Sequence, residues 1–111
     1  MIDASKLKSI PTDWKPITNQ ADLAILGKLI EELSECSSVA ARCIIQGIDE
    51  TNPETSQTNA KRLKNEIADV LAMVALATDI YQFDTTEIDE RVKIKYAHKM
   101  QWYLDLSNNR N

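Results

Sequence analysis

Residues 26–45, LGKLIEELSECSSVAARCII, place apolar or small side chains at helical spacing: Leu26, Leu29, Ile30, Leu33, Cys36, Ser37, Ala40 and Ile44 form one stripe. Working outward, Thr18 or Asn19 is placed to cap this helix, and Asp22 adds a negative charge to its first turn. Gly47 stands where a glycine ends a helix, so the first helix is expected from Asn19 to about Gln46. Residues 48–58 form a polar connection that Pro53 keeps from being helical. Its length exceeds the usual helix–helix loop, which points to a functional or mobile segment. A second helix, capped by Thr58 or Asn59, runs to about Tyr81 with a stripe of Leu63, Ile67, Val70, Val74, Ala77 and Tyr81. After Phe83 and Asp84, Thr86 with Asp89 resembles a capping box, and a third helix runs to about Leu106. Residues 107–111 are expected to be a frayed tail.

The N-terminal residues 1–18 contain Pro11 and Pro16 around Trp14 and are expected as an extended arm with at most one short turn. Trp14 has two readings, packing on the helices or stacking on a bound base. The fold class is therefore all-α: one domain over 1–111, a bundle of three main helices with an N-terminal arm. With 111 residues a single copy buries only a modest core, so oligomerisation is expected to complete the bundle. Two glycines and three prolines agree with long helices.

A net charge of −4 excludes a general binder of nucleic-acid polymers, which needs excess Lys and Arg to displace counterions. No secretory pattern and no apolar run of membrane-spanning length is seen, so the chain reads as cytoplasmic, with no membrane partner. Cys36 and Cys43 lie two turns apart on one helix, too far to bridge, and read as buried free thiols.

Glu32 and Glu35 are three apart, as are Glu66 and Asp69, so each pair shares a helix face. Glu32 borders the apolar stripe of its helix, and both Glu66 and Asp69 border or enter theirs. Antiparallel packing would bring the four carboxylates to one seam. Like charges that close repel, and burying them without a partner is costly. A divalent cation removes the conflict, and an all-oxygen set favours magnesium, with manganese as a substitute. The competing reading is four solvated helix charges, with Lys28 available to Glu32 and Arg62 to Glu66 as surface ion pairs. A di-iron bundle is excluded by ligand count, because the only histidine, His98, has Lys95 three residues before it. His98 is expected at the surface or core edge. On the third helix Lys95 and Lys99 fall inside the stripe of Ile88, Val92, Trp102, Tyr103 and Leu106. They either snorkel into structural salt bridges or contact phosphate.

Two segments resemble a known family. LGKLIEELSE (26–35) and EIADVL (66–71) are similar to the paired motifs of the MazG-like, all-α nucleoside triphosphate pyrophosphohydrolases. Gly47-Ile48-Asp49, Thr58-Asn59 and Arg62-Leu63 resemble the connection of a phage-type branch, and VKIK (92–95) its basic third helix. The likeness spans roughly residues 22–104, with an unusually long stretch between Glu35 and Glu66. It implies that Glu32, Glu35, Glu66 and Asp69 hold Mg2+ and form the catalytic set, and that Lys95 and Lys99 bind phosphate. It implies hydrolysis of an NTP or dNTP to the monophosphate and pyrophosphate, in nucleotide-pool control, by a homodimer or homotetramer. Trp14, Asn59, Trp102 and Tyr103 are candidates for reading the base, and Glu31 is either an outer-shell residue or a surface charge. The alternatives are a non-catalytic helical interaction module and a nucleotide sensor. Base and sugar preference, metal count, the identity of the general base, and dimer versus tetramer stay open.

Overall fold

The structure, a computed structural model, describes residues 3–6 and 13–109. Three helices carry the chain: α1 (Gln20–Gln46), α2 (Asn59–Tyr81) and α3 (Thr85–Asn108), preceded by a 3-10 turn at Ala4–Lys6. The rest of the expected arm, including Pro11, lies mostly outside the described residues. No strand is present among the described residues, and no described helix is long and apolar enough to cross a membrane.

Each helix starts on a side chain that accepts otherwise orphaned backbone N–H groups. Asn19 Oδ1 accepts from Ala21 N and Asp22 N at 2.8 and 3.2 Å. Thr58 Oγ1 accepts from Lys61 N at 3.1 Å. Asp84 Oδ1 accepts from Thr86 N at 2.9 Å, so α3 begins on Asp84 rather than on the Thr86–Asp89 pair that the sequence suggested. The helix also continues through Ser107 and Asn108, where the sequence reading expected fraying. Gly47 ends α1 at φ +105°, and its N–H donates to Cys43 O at 2.9 Å.

α1 and α2 form an antiparallel hairpin. At one end Tyr81 OH donates to Asp22 Oδ1 at 3.3 Å. At the other, Cys43 Sγ donates to Asn59 O at 3.9 Å. The seam runs along α1 through the buried and half-buried Asp22, Ile25, Leu29, Glu32, Cys36, Val39 and Cys43, and along α2 through Asn59, Leu63, Glu66, Val70, Met73 and Ala77, with Leu26, Ala40, Ala60, Arg62, Thr78 and Tyr81 half-buried beside it. Both series alternate steps of three and four, the period of a two-helix seam. The seam is offset from the sequence-derived stripes: Ile30, Leu33, Ile44, Ile67 and Val74 are exposed beside it. Both cysteines are free and half-buried rather than fully buried.

The 48–58 connection is a closed turn. Thr51 and Thr58 form an antiparallel bridge. Asn52, 4% exposed, accepts Glu54 N on its Oδ1 at 2.8 Å, and its backbone exchanges bonds with Gln57 and Ser56. Ser56 takes the left-handed conformation the turn needs, φ +59°.

α3 is the exception to this packing. Among the described residues the extensive helix–helix contact is α1 with α2 alone, and no α3 residue is buried. The stripe expected to face inward on α3 is therefore uncovered in the single chain: Val92, Trp102, Tyr103 and Leu106 are all exposed. Trp14, expected to pack on the helices, is also 63% exposed.

Candidate metal centre

Glu32 and Glu66 occupy seam positions, each flanked along its helix by apolar neighbours at three or four residues: Leu29 and Cys36, Leu63 and Val70. The antiparallel pairing sets the two carboxylates opposite one another, and Glu35 reaches the same place from one turn along α1. One oxygen from each of Glu32, Glu35 and Glu66 lies within 4.8 Å of the others. The Glu32 side chain is only 12% exposed. Oε2 of Glu32 and Oε2 of Glu66 are both buried without a hydrogen-bond partner. A buried acceptor left unpaired forfeits its hydration, and the penalty grows when it carries charge.

Charge in the cluster is unbalanced. Lys28 Nζ lies 3.3 Å from Glu31 and 3.5 Å from Glu32, so one exposed ammonium faces the rim. Its hydrogen bond with Glu31, then the charge of Glu31, raises its affinity for a proton. Glu35 is held above the usual glutamate range, first by the charge of Glu32, then by partial loss of hydration and the charge of Glu66.

The fourth expected ligand behaves differently. Asp69 is exposed and stands outside the 4.8 Å group. It sits about 60° further round α2 from the seam than Glu66, and its side chain is one methylene shorter. Lys95 and Lys99 are exposed on α3 and make no ion pair within 4.0 Å among the described residues, so a single chain does not bring them against the carboxylates. His98 is exposed there too. Glu31, paired with Lys28, is a surface charge.

Asn59, a candidate for reading the base, is placed inside the hairpin. It is fully buried, and its Nδ2 donates to Gln46 Oε1 at 3.1 Å and Gly47 O at 2.9 Å, which ties the end of α1 to the start of α2. Trp14, Trp102 and Tyr103 are exposed, and none of them lines the groove of Leu33, Cys36, Ile67 and Leu71 or the one of Ser38, Arg42 and Ile45.

Arg62 lies beside the cluster on α2. The competing reading made it a surface partner of Glu66, but among the described residues it makes no ion pair within 4.0 Å, and its Nη1 is buried without a hydrogen-bond partner. The one available signal was its position four residues before Glu66, on the same face.

No known protein family, curated protein or solved structure matches the chain.

Proposed function

We propose that the chain is a magnesium-dependent nucleoside triphosphate pyrophosphohydrolase, with Glu32, Glu35 and Glu66 as its metal-holding carboxylates. The observation that carries this reading is the convergence of three carboxylates from two helices, with two of their oxygens buried and unpartnered. A solvated surface charge does not account for orphaned oxygens inside a helix seam. The donor set is all oxygen, which suits Mg2+ and, as a substitute, Mn2+. Asp69 is the next carboxylate along α2 and the natural further ligand. The motif resemblance supplies the reaction: water attacks the α-phosphorus, the bond from that phosphorus to the bridging oxygen breaks, and pyrophosphate leaves.

Bound magnesium would neutralise charge on the carboxylates and on the phosphate oxygens. The other steps belong to the chain's own residues. Glu35 is the exposed member of the cluster, open to an attacking water whose proton it would accept. Glu32 and Glu66, held by the seam, fix the position of the site relative to both helices. Arg62, one turn from Glu66, is a cation of the same chain on the same flank.

The test is pyrophosphate release from a panel of NTPs and dNTPs in magnesium. Release from at least one nucleotide, lost in Glu66→Gln, is expected. No release from any of them, with a positive control turning over, defeats the proposal.

A further inference from the structure

Unpaired groups of both signs lie together in and beside the seam. Oε2 of Glu32 and Oε2 of Glu66 are buried acceptors without a hydrogen-bond partner, and Nη1 of Arg62 is a buried donor in the same condition. Arg62 is half-buried, the one lysine or arginine among the described residues that is not exposed. It stands four residues before Glu66, about 6 Å along α2. Even so, among the described residues it makes no ion pair within 4.0 Å; the ion pairs there are those of Lys28. The orphaned acceptors and the orphaned donor do not satisfy each other.

Helical phase sets the side on which they lie. Arg62 and Asp69 are turned about 40° and about 60° from Glu66 in one sense, and Ile67 about 100° in the other. On α1, Glu35 is turned about 60° from Glu32 in that first sense, and Leu33 about 100° the opposite way. In an antiparallel pair, equal senses meet on one flank. Leu33 and Ile67 do meet, in an open apolar groove, so Arg62, Glu35 and Asp69 share the other flank. The start of α2 adds to the positive charge there. Lys61, Arg62 and Lys64 all precede its first carboxylate, Glu66, and no acid stands in its first turn. The N-terminal end of a helix carries partial positive charge, which disfavours cations and favours anions.

A divalent cation on the three carboxylates would satisfy their oxygens, but it would repel the guanidinium. An oxyanion bound to that cation satisfies both. Its oxygens accept from the fork of N–H groups that arginine presents to phosphate.

We infer that Arg62 is a phosphate-contacting residue of the site, whose guanidinium holds the two phosphate groups that leave as pyrophosphate. The inference rests on the proposed reaction for its ligand. As the bond to the α-phosphorus breaks, negative charge grows on the leaving oxygen, and a guanidinium beside it stabilises that charge. Arg62 belongs to the hairpin that carries the carboxylates, whereas Lys95 and Lys99 stand on α3.

Calorimetric titration of inorganic pyrophosphate into the protein in magnesium tests it. Arg62→Met keeps the apolar stem and removes the donors. Its affinity for pyrophosphate should fall by about 10–100-fold, the worth of charge-assisted hydrogen bonds, while magnesium alone binds no more weakly. Arg62→Lys keeps the charge and loses the fork, and should weaken pyrophosphate by roughly threefold or more. Wild-type affinity for pyrophosphate in Arg62→Met overturns the inference, as does a wild type that binds no pyrophosphate. Parallel loss of magnesium and pyrophosphate binding also overturns it, because Arg62 then only holds the shape of the site. Should far-UV circular dichroism show Arg62→Met unfolded, Arg62→Lys decides alone, and an affinity equal to wild type overturns the inference. The two proposals fail separately. Nucleotide turnover with unchanged KM in Arg62→Met sinks this one alone. Pyrophosphate bound through Arg62, without turnover of any nucleotide, sinks only the reaction.

Discussion

Asn59 and Glu66 lie in the same seam, two turns apart on α2, and the chain treats them in opposite ways. Asn59 is fully buried, but its amide donates to both Gln46 Oε1 and Gly47 O, leaving only a neutral carbonyl oxygen unpaired. Glu66 brings a buried oxygen that no described residue satisfies, opposite Glu32, whose Oε2 is likewise without a partner among them. The latch end of the hairpin is closed by its own hydrogen bonds. The middle brings together groups that repel one another. A buried polar residue that the fold satisfies is part of the architecture; buried carboxylate oxygens without partners carry a cost that the fold alone does not offset.

The sharpest way to break this contrast is at the latch. Asn59→Ala removes two hydrogen bonds and leaves Gly47 O and Gln46 Oε1 without their donor. We expect a loss of about 2–4 kcal/mol, read as a lower urea midpoint with unchanged slope. A loss under about 0.5 kcal/mol would show that the latch does not hold the hairpin. At the carboxylates, magnesium at about 100 times its dissociation constant should stabilise the wild type by about 2.7 kcal/mol. Glu66→Gln should abolish that rise and lower turnover beyond the roughly 10–100-fold cost typical of outer-shell changes. Calorimetry with and without magnesium decides it; equal responses in both proteins would place the metal elsewhere.

A smaller effect is expected at Gly47. Its φ of +105° disfavours any side chain, and an added Cβ would meet Glu50 Cγ at 3.2 Å. Gly47→Ala should cost on the order of 1 kcal/mol or slightly more, through the latch and without altering the magnesium response.

The mildest effect is one of pH. The Glu35 carboxyl is raised above its ordinary 4.5, chiefly by the charge of Glu32. A group whose folded pKa is raised favours folding in its protonated form. That contribution is complete below pH 4.5 and is lost as pH climbs through the raised value. In chelator the melting temperature should therefore carry a downward component with rising pH over that window. Glu35→Gln should flatten this component, and an unchanged profile would mean that the repulsion is not felt.

The sequence reading and the hairpin agree where signals are local. Asn19, Thr58 and Gly47 delimit α1 and α2 because capping depends on a few adjacent residues. The stripes were less legible. α1 carries apolar residues over more than half its circumference, and only contact with α2 selects Leu29, Glu32, Cys36 and Val39 as the seam while leaving Ile30, Leu33 and Ile44 outside. For the same reason Glu32 and Glu66, read as bordering the stripes, occupy the seam itself. Asp69, read as their equal, falls outside the cluster. Asn59, read as a candidate base contact, is a latch, because its role depends on where the end of α1 arrives. The α3 stripe stays exposed, since periodicity names an apolar face without naming what covers it.

The amino-acid order alone thus settles three helices, the caps of α1 and α2 and the carboxylate pairs, because these follow from spacing along one chain. Which carboxylates meet, which amide locks the hairpin and which apolar faces stay bare were decided only by tertiary structure. Those outcomes depend on the phase at which two helices touch, and side chains distant in sequence fix that phase.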